Sequence, residues 1–351
     1  MTPEIDVVIA LHNLARPIER AVASARSEVS RVTVVCHGIS AEPVAERLHE
    51  AGALGEDVRL VEFADGHRSP SGPFNHGMRI ATADLITIMG SDDWYEPGAL
   101  AAWLAAAKDG ADVVLGPLRH QSGEPVRAPL ARPLRRRALD PVRDRVSYRT
   151  APLALFRRRL LDDLGLELVP ERPSGGDLEF GIRLWTGARR LDLARRAPAY
   201  VIGADARDRT TGAVRPIAVE MAPLVHLLGR DWFRDLPVAT RRAVAIKLLR
   251  VHVLDGVARR QDHTWTTEDA ARLAATVDLL CKTAPDIEEP FSVADRAVLD
   301  AARSGAPDTL IAAARARTSA GRWAQLRTRR WRDTLDREST LRRYGVYALS
   351  R

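Results

Sequence analysis

Two adjacent carboxylates, Asp92 and Asp93, stand between an apolar run and a helix-like segment in LITIMGSDDWYEPGALAAWL, residues 85–104. Hard divalent cations prefer oxygen ligands, and Mg²⁺ is commonly held by one or two carboxylates together with substrate phosphates. Two acids on a strand-to-helix turn are therefore candidate ligands for Mg²⁺ or Mn²⁺ and a bound diphosphate. Because Asp and Ser also favour turns and helix caps, a purely structural turn is the alternative interpretation.

Other polar side chains follow apolar runs in the same way. His12 and Asn13 come after the first run, His37 after the second, and Asp65 and His67 after the third. In an open α/β sheet, ligands bind beyond the carboxyl ends of the strands, so these residues are predicted to converge with the two acids on one cleft. The histidines lack the close spacing of a metal centre on a helix, which favours pocket-lining roles.

The elements that must position these residues are visible as alternating patterns. Short β-rich runs at 5–11, 32–35, 58–63, 85–89 and 112–115 alternate with amphipathic segments near 17–26, 43–51, 74–82 and 97–108. This alternation predicts an α/β domain over 1–215 with a mostly parallel sheet and helices on both faces. Helical patterns at 239–260, 268–282 and 293–303 predict an all-helical domain over 216–351.

Composition excludes several classes of protein. At 351 residues and 46% hydrophobic content the chain can bury two cores. Its longest apolar run, 99–107, is far shorter than the roughly 18 residues of a membrane span, and its start lacks a signal-peptide pattern. We therefore expect a cytoplasmic protein. Cys36 and Cys281 form no paired motif, so neither a disulfide framework nor a thiolate zinc site is predicted.

The net charge of +7 is concentrated in two segments. Residues 315–351 contain 11 arginines and three acids, residues 127–149 contain eight arginines and two acids, and the rest of the chain is acidic. Two local basic segments favour contacts with phosphates or with an anionic membrane at its inner face over wrapping of a nucleic acid. The alternative is a compositional bias toward Arg without a role.

The stretch FNHGMRIATADLITIMGSDDWYEPGAL resembles the nucleotide-sugar-dependent glycosyltransferases of family 2. In that family an Asn-x-Gly helix leads to a hydrophobic strand, an Asp-x-Asp-type motif and a Pro-led helix. The start, IDVVIALHN, is similar to the family's first strand, and the resemblance covers roughly residues 4–212. The matching positions are Asn75, Gly77, Ala81, Asp92, Asp93 and Pro97.

The resemblance implies a GT-A fold that binds a nucleoside diphosphate sugar donor through Mg²⁺ or Mn²⁺. Asp93 would be the main metal ligand, with Asp92 near the ribose or in the metal shell. The acceptor would be a hydroxyl of a glycan, a lipid-linked molecule or a small molecule. The candidate donor-binding residues are His12, Asn13, His37, Asp65, Asn75 and Asp92.

The family's catalytic base maps to Asp177 in GGDLEF. An inverting transfer needs a carboxylate that accepts the proton of the attacking hydroxyl. Asp177 is also placed to cap the helix that follows it, and both roles are compatible. Glu179 is a weaker candidate because two residues along a helix change the face.

The chain departs from the family pattern at several positions. Cys36 and His37 stand where an acidic pair usually contacts uridine in that family, so the resemblance does not imply uridine as the base of the donor. Glycines replace acids at 90 and 176. In place of a metal-binding His after the last strand, the chain has Asp205, Arg207 and Arg209, and an Arg there would pair with a diphosphate.

Two functions remain open. The first is metal-assisted inverting transfer of a sugar to a glycan, a cell-envelope polymer or a secondary metabolite. The second is a catalytically weak or inactive relative that binds a nucleotide or anionic polymer as a partner module. A nucleotidyltransferase is disfavoured because LHNLARPIER after the first strand contains no Gly-rich phosphate loop.

Overall fold

The computed structural model describes residues 3–172, 174–205, 214–260 and 265–349. The chain divides into two compact units. The first comprises Met1–Arg127, Leu134–Leu139 and Arg149–Thr211, and the second comprises Ala128–Pro133, Asp140–Tyr148 and Gly212–Arg351. Two short pieces of the N-terminal half therefore belong to the second unit.

The first unit contains two sheets. Its strands are β1 Ile5–Leu11, β2 Ser30–His37, β3 Val58–Phe63, β4 Leu85–Gly90, β5 Trp94–Tyr95, β6 Val113–Leu115, β7 Leu118–His120, β8 Pro125–Val126, β9 Leu155–Arg157, β10 Leu191–Leu193 and β11 Tyr200–Ile202. The larger sheet has the order β10-β6-β9-β4-β1-β2-β3 and is parallel except at β9. The smaller has the order β5-β11-β7-β8.

The helices of this unit follow the strands in alternation. They are α1 Ile18–Ala25, α2 Glu42–Glu50, α3 Ser71–Arg79, α4 Ala99–Lys108, α5 Leu160–Asp163 and α6 Leu178–Gly187. Consecutive residues of β1, including Val7, Val8 and Ile9, are fully buried. A strand covered on both faces is mostly apolar, so residues 7–11 form a continuous apolar run, with Asp6 as the one polar residue of the strand.

Asp6 on β1 is a buried carboxylate that fixes the turn before β4. It accepts hydrogen bonds from the guanidinium of Arg31 and from the backbone N–H groups of Thr82, at 2.6 Å, and Ala83, at 2.8 Å. These charge-assisted bonds offset the cost of burying the carboxylate. The strand that leads to the two acids is therefore held at its start.

Gly77 allows α3 to lie directly against the sheet. A Cβ at this position would be 2.2 Å from Val8 Cγ1 and 3.2 Å from Val35 Cγ2. Such a contact would force the helix away from β1, and small-to-large changes of this kind are destabilising. The glycine of the Asn-x-Gly motif thus sets the position of α3 and of Asn75 upon it.

The described part of the second unit is helical. Its α-helices are α7 Ile217–Leu228, α8 Asp231–Arg234, α9 Val238–Leu248, α10 Leu254–Ala258, α11 Thr267–Cys281, α12 Val293–Ser304, α13 Pro307–Ser319, α14 Arg322–Leu326 and α15 Thr340–Leu349. A π-helix, Leu249–Val253, joins α9 to α10, and 3₁₀ turns occur at Val146–Tyr148 and Trp331–Leu335. The predicted fold class, a mostly parallel α/β sheet followed by a helical region, is confirmed. Among the helices in the described ranges, none combines the length and apolar character required to cross a bilayer.

Candidate active site

The turn after β4 brings the two acids together above Gly90. A Cβ on Gly90 would be 2.5 Å from Asp93 Oδ2 and 3.3 Å from Asp92 Oδ1. Both carboxylates therefore direct an oxygen into the space that the missing side chain leaves. The departure from the family pattern at this position has a physical consequence, since a side chain at 90 would force the Asp93 carboxylate out of its present position.

Asp93 is hydrogen-bonded to β11 of the smaller sheet and to the residue that follows it. The hydroxyl of Tyr200 donates to Asp93 Oδ2, and the backbone N–H of Gly203 donates to Oδ1 at 2.7 Å. The N–H of Gly90 donates to the Tyr200 hydroxyl at 3.1 Å. Burial, together with the neighbouring charge of Asp93, raises the pKa of Tyr200 well above its ordinary value, so the phenol stays protonated and donates.

The negative charge of Asp92 is compensated by Arg16, which was not among the candidate site residues predicted from the sequence. Arg16 Nη1 lies 3.0 Å from Asp92 Oδ2, and both side chains are buried. Four residues on, Arg20 donates to the backbone carbonyl of Asp92 at 2.6 Å, pairs with Asp205 and lies over the Trp94 ring at 4.1 Å. Arg16 precedes the Pro17 cap of α1 and Arg20 lies within the helix, so no helical spacing joins them and no local pattern would have identified the pair.

A second polar cluster lies at the ends of β2 and β3. His37 Nε2 is 2.9 Å from Asp65 Oδ1, and the rings of Phe63 and His76 stack with their centroids 4.8 Å apart. Although burial opposes the shift, hydrogen bonds from the His67 N–H and from His37 lower the pKa of Asp65. Burial also lowers the pKa of His76, which favours an uncharged ring beside Phe63.

Asn75, predicted to bind the donor, is buried and joins α3 to a distant loop through two hydrogen bonds. Its Nδ2 donates to the carbonyl of Leu168 at 2.7 Å, and its Oδ1 accepts from the N–H of Leu168 at 2.9 Å. The amide therefore satisfies both backbone groups of a residue that is itself buried. This pair fixes the loop that leads to Asp177.

We expect Asn75→Ala to lower the free energy of unfolding by about 1–3 kcal/mol, because two buried backbone groups of Leu168 lose their partners. Urea denaturation measures this change. The control is Asn13→Ala, since Asn13 bonds the Ala15 N–H in a surface loop and should matter less. Unchanged stability with weakened nucleotide binding would instead assign Asn75 to the donor site.

Asp177 immediately precedes α6 and is half-buried. Its side chain makes no capping hydrogen bond, so the capping role considered for it is not seen. Gly175 has φ +71°, and a Cβ on Gly176 would be 2.5 Å from Ser71 Oγ and 2.7 Å from the backbone carbonyl oxygen of Val169, so both positions require glycine. Glu179, by contrast, is buried on the helix.

The remaining candidates are dispersed. His12 is exposed after β1, and the amide oxygen of Asn13 accepts from the Ala15 N–H at 2.8 Å. Arg207 and Arg209 lie outside the described residues. The structure thus brings together Asp92 with Asp93, and His37 with Asp65, whereas Asn75 faces the Leu168 backbone.

The donor set at the β4 turn fits a hard divalent cation that takes part of its coordination from a ligand. Two carboxylates supply oxygen toward one space above Gly90, and a diphosphate with water would complete six ligands. Within the described ranges there is no cluster of three or more His, Cys, Asp or Glu side chains that could hold a metal alone.

Comparison with known proteins matches part of the chain to a family model and most of it to solved structures. The family model for Glycosyl transferase family 2 matches residues 6–165. A curated relative, the succinoglycan biosynthesis protein ExoU of Rhizobium meliloti (strain 1021), is 29% identical over 113 residues. That match spans 32% of this chain and 32% of the relative.

The solved structures of S. aureus TarS 1–349 have a similar fold. The complex with UDP-GlcNAc aligns with a TM-score of 0.72 at 16% identity, covering 90% of this chain and 92% of that one. The complex with UDP aligns with a TM-score of 0.68 at 16% identity, covering 90% and 91%. The likeness extends over both described units and supports a GT-A fold with a helical C-terminal region.

Proposed function

We propose that this chain is a member of glycosyl transferase family 2, whose model matches residues 6–165, and that it transfers a sugar from a nucleoside diphosphate sugar to an acceptor hydroxyl with inversion. The observation that carries the proposal is the convergence of the Asp92 and Asp93 carboxylates above Gly90, at the carboxyl end of β4. Ligands of parallel α/β sheets bind at this end of the strands.

The donor's base would be bound at the cluster of His37, Asp65, Phe63 and His76. The His37–Asp65 pair offers polar groups for a base edge, and the two stacked rings offer an uncharged flat surface. TarS binds UDP and UDP-GlcNAc in its solved complexes, which supports a nucleoside diphosphate sugar as donor class. His37 in place of an acid leaves the identity of the base to experiment.

The diphosphate would lie at the β4 turn. Asp93 and Asp92 would hold Mg²⁺ or Mn²⁺, which when bound neutralises charge on the leaving diphosphate. Tyr200 and Gly203 keep the Asp93 carboxylate in place through their hydrogen bonds. Arg16 balances the charge of Asp92, so the turn can carry two adjacent acids.

Asp177 would act as the general base. As the acceptor oxygen bonds to the anomeric carbon, the bond from that carbon to the diphosphate oxygen breaks on the opposite face. The acceptor's proton passes to a carboxylate oxygen of Asp177. The loop that carries this carboxylate is oriented by the hydrogen bonds between Asn75 and Leu168 and by the close approach of Gly176 to Ser71.

A thermal-shift screen of nucleoside diphosphates, each with and without Mn²⁺, tests the donor class. A ligand that binds only the folded state stabilises it by about 2.7 kcal/mol at a hundredfold excess over Kd. We expect at least one nucleoside diphosphate to raise the Tm in the presence of Mn²⁺, with inorganic diphosphate as the control for the base. If no nucleoside diphosphate does so while an anionic polymer does, the chain is a binding module.

A further inference from the structure

The C-terminal 28 described residues, 322–349, carry an unusual density of exposed apolar side chains. Seven of the thirteen large hydrophobic residues exposed in the described part of the chain lie here, and Trp323 and Trp331 are 76% and 80% exposed. Leu335 is 63% exposed. Single exposed apolar residues are ordinary, but a cluster of this kind marks a contact surface.

These side chains project from a folded segment. The N–H of Val293 donates to the carbonyl of Arg327 at 2.9 Å, and Thr328 pairs with Ser292 in a β-bridge and is 1% exposed. Helix α15 contacts both α14 and the 3₁₀ turn Trp331–Leu335. Trp323, Trp331 and Leu335 are therefore presented by elements that pack together.

The charges of the same segment are sorted by exposure. Six of its arginines are exposed: Arg322, Arg327, Arg329, Arg330, Arg332 and Arg342. Its three acids are turned inward, since Asp333 and Asp336 are half-buried and Glu338 is 4% exposed. Glu338 is bonded by Tyr148 at 3.0 Å and lies 3.2 Å from Arg145. Arg329 pairs with Asp300 outside the segment, and Arg332 Nε lies 3.7 Å from Asp333 Oδ1, so the outward charge that remains is positive but smaller than six.

The other basic segment uses much of its charge internally. Arg132 is paired with the fully buried Asp144, Arg145 is paired with Glu338, and Arg149 is itself 2% exposed. The other exposed arginines of that segment, Arg135, Arg136, Arg137 and Arg143, have a single large exposed apolar side chain beside them, Leu134. The segment 322–349 differs because it combines its exposed arginines with seven large exposed apolar side chains.

We propose that the tryptophan–arginine surface, formed by Trp323, Trp331 and Leu335 with the exposed arginines of 322–349, docks the protein on an anionic phospholipid membrane. Trp and Leu side chains enter the boundary between headgroups and acyl chains, and arginines pair with anionic headgroups. This inference goes beyond sugar transfer and does not require it.

Two other occupants fit the observations less well. A second copy of the chain would bring two positively charged surfaces together, which is repulsive. A soluble polyanion would be attracted by the arginines but would leave the two tryptophans in water. Only a membrane, with anionic headgroups above an apolar interior, would contact both the arginines and the tryptophans of this surface.

Co-sedimentation of the full chain with vesicles tests this proposal. We expect binding to vesicles of phosphatidylcholine with phosphatidylglycerol, weak binding to phosphatidylcholine alone, and weaker binding at high salt. The double substitution Trp323→Ser with Trp331→Ser should reduce anionic vesicle binding by a factor on the order of 10 or more. Replacing Arg330 and Arg332 by Gln should reduce binding to anionic vesicles about fivefold for each charge removed.

The matched control is Leu279→Ser, which removes another exposed apolar side chain, 41% exposed, from the second unit. It should bind vesicles as the wild type does, and an unchanged Tm of the tryptophan variant shows that it is folded. For the wild type, brominated acyl chains should also quench tryptophan fluorescence. Wild-type failure to bind anionic vesicles, equal binding by the tryptophan variant, or a dimer that this variant abolishes would each overturn the proposal.

Discussion

Replacing Asp177 by asparagine is expected to lower sugar transfer by a factor on the order of 10² to 10⁴, the usual contribution of a general base. The amide keeps the size of the side chain but cannot accept the proton of the acceptor hydroxyl. Because the Asp177 side chain makes no capping hydrogen bond, the helix that follows should keep its stability. Donor affinity should also be retained, since the base acts on the acceptor.

The measurement is single-turnover transfer with the donor identified by thermal shift, beside a titration of nucleoside diphosphate. Glu171→Gln is the matched control, because Glu171 is an exposed acid in the same loop and its loss should leave the rate unchanged. If Asp177→Asn transfers sugar at the wild-type rate, the base lies elsewhere, and Glu179 and Asp205 become the candidates.

The strands were predictable where burial leaves a simple pattern. β1 and β3 have the bounds that their sequence patterns indicate. β1 is buried almost throughout and is apolar after Asp6, whereas β3 is a partly exposed edge strand that also contains Arg59 and Glu62. The antiparallel placement of β9 between β4 and β6 was not predictable. A three-residue strand carries too little periodicity to reveal its direction or its neighbours.

The placement of Asp92 and Asp93 beside each other, and of Asp65 beside His37, was also predictable, since strand ends of a parallel sheet meet at one edge. The partners of Asn75 and Asp93 were not. Asn75 bonds a residue 93 positions away, and Tyr200 is 107 positions from Asp93. Such long-range pairs depend on packing that no local pattern records.

The exposure of individual side chains likewise distinguishes a compositional bias toward Arg from a binding surface. The net charge of 315–351 is visible in the sequence, but the inward turn of Asp333, Asp336 and Glu338 depends on the folded helices. Sequence alone left a compositional bias and a binding surface equally open. The sorting of acids and arginines by burial gives the physical reason to prefer a surface.

Replacing Asp93 by asparagine is expected to weaken Mn²⁺-dependent nucleoside diphosphate binding by a factor on the order of 10 to 100, the value of a lost bond to a charged group. The amide oxygen can still accept from the Gly203 N–H, and the Tyr200 hydroxyl can rotate to accept from the amide. The fold should therefore survive. Alanine would leave both donors without a partner and would confuse stability with binding.

Titration of the nucleotide with Mn²⁺ and with a chelator separates a metal-bound diphosphate from one bound by arginine. If the metal joins Asp93 to the diphosphate, chelation should weaken the wild type to the level of Asp93→Asn and leave that variant unchanged. Asp57→Asn is a control for general loss of a carboxylate, because Asp57 pairs with Arg26 between α1 and β3 and not at the β4 turn. A wild-type affinity that chelation leaves unaltered would contradict the metal assignment. The charge of the diphosphate would then have to be met by guanidinium groups, and Arg16 and Arg20, which already hold the Asp92 turn, would be the first to substitute.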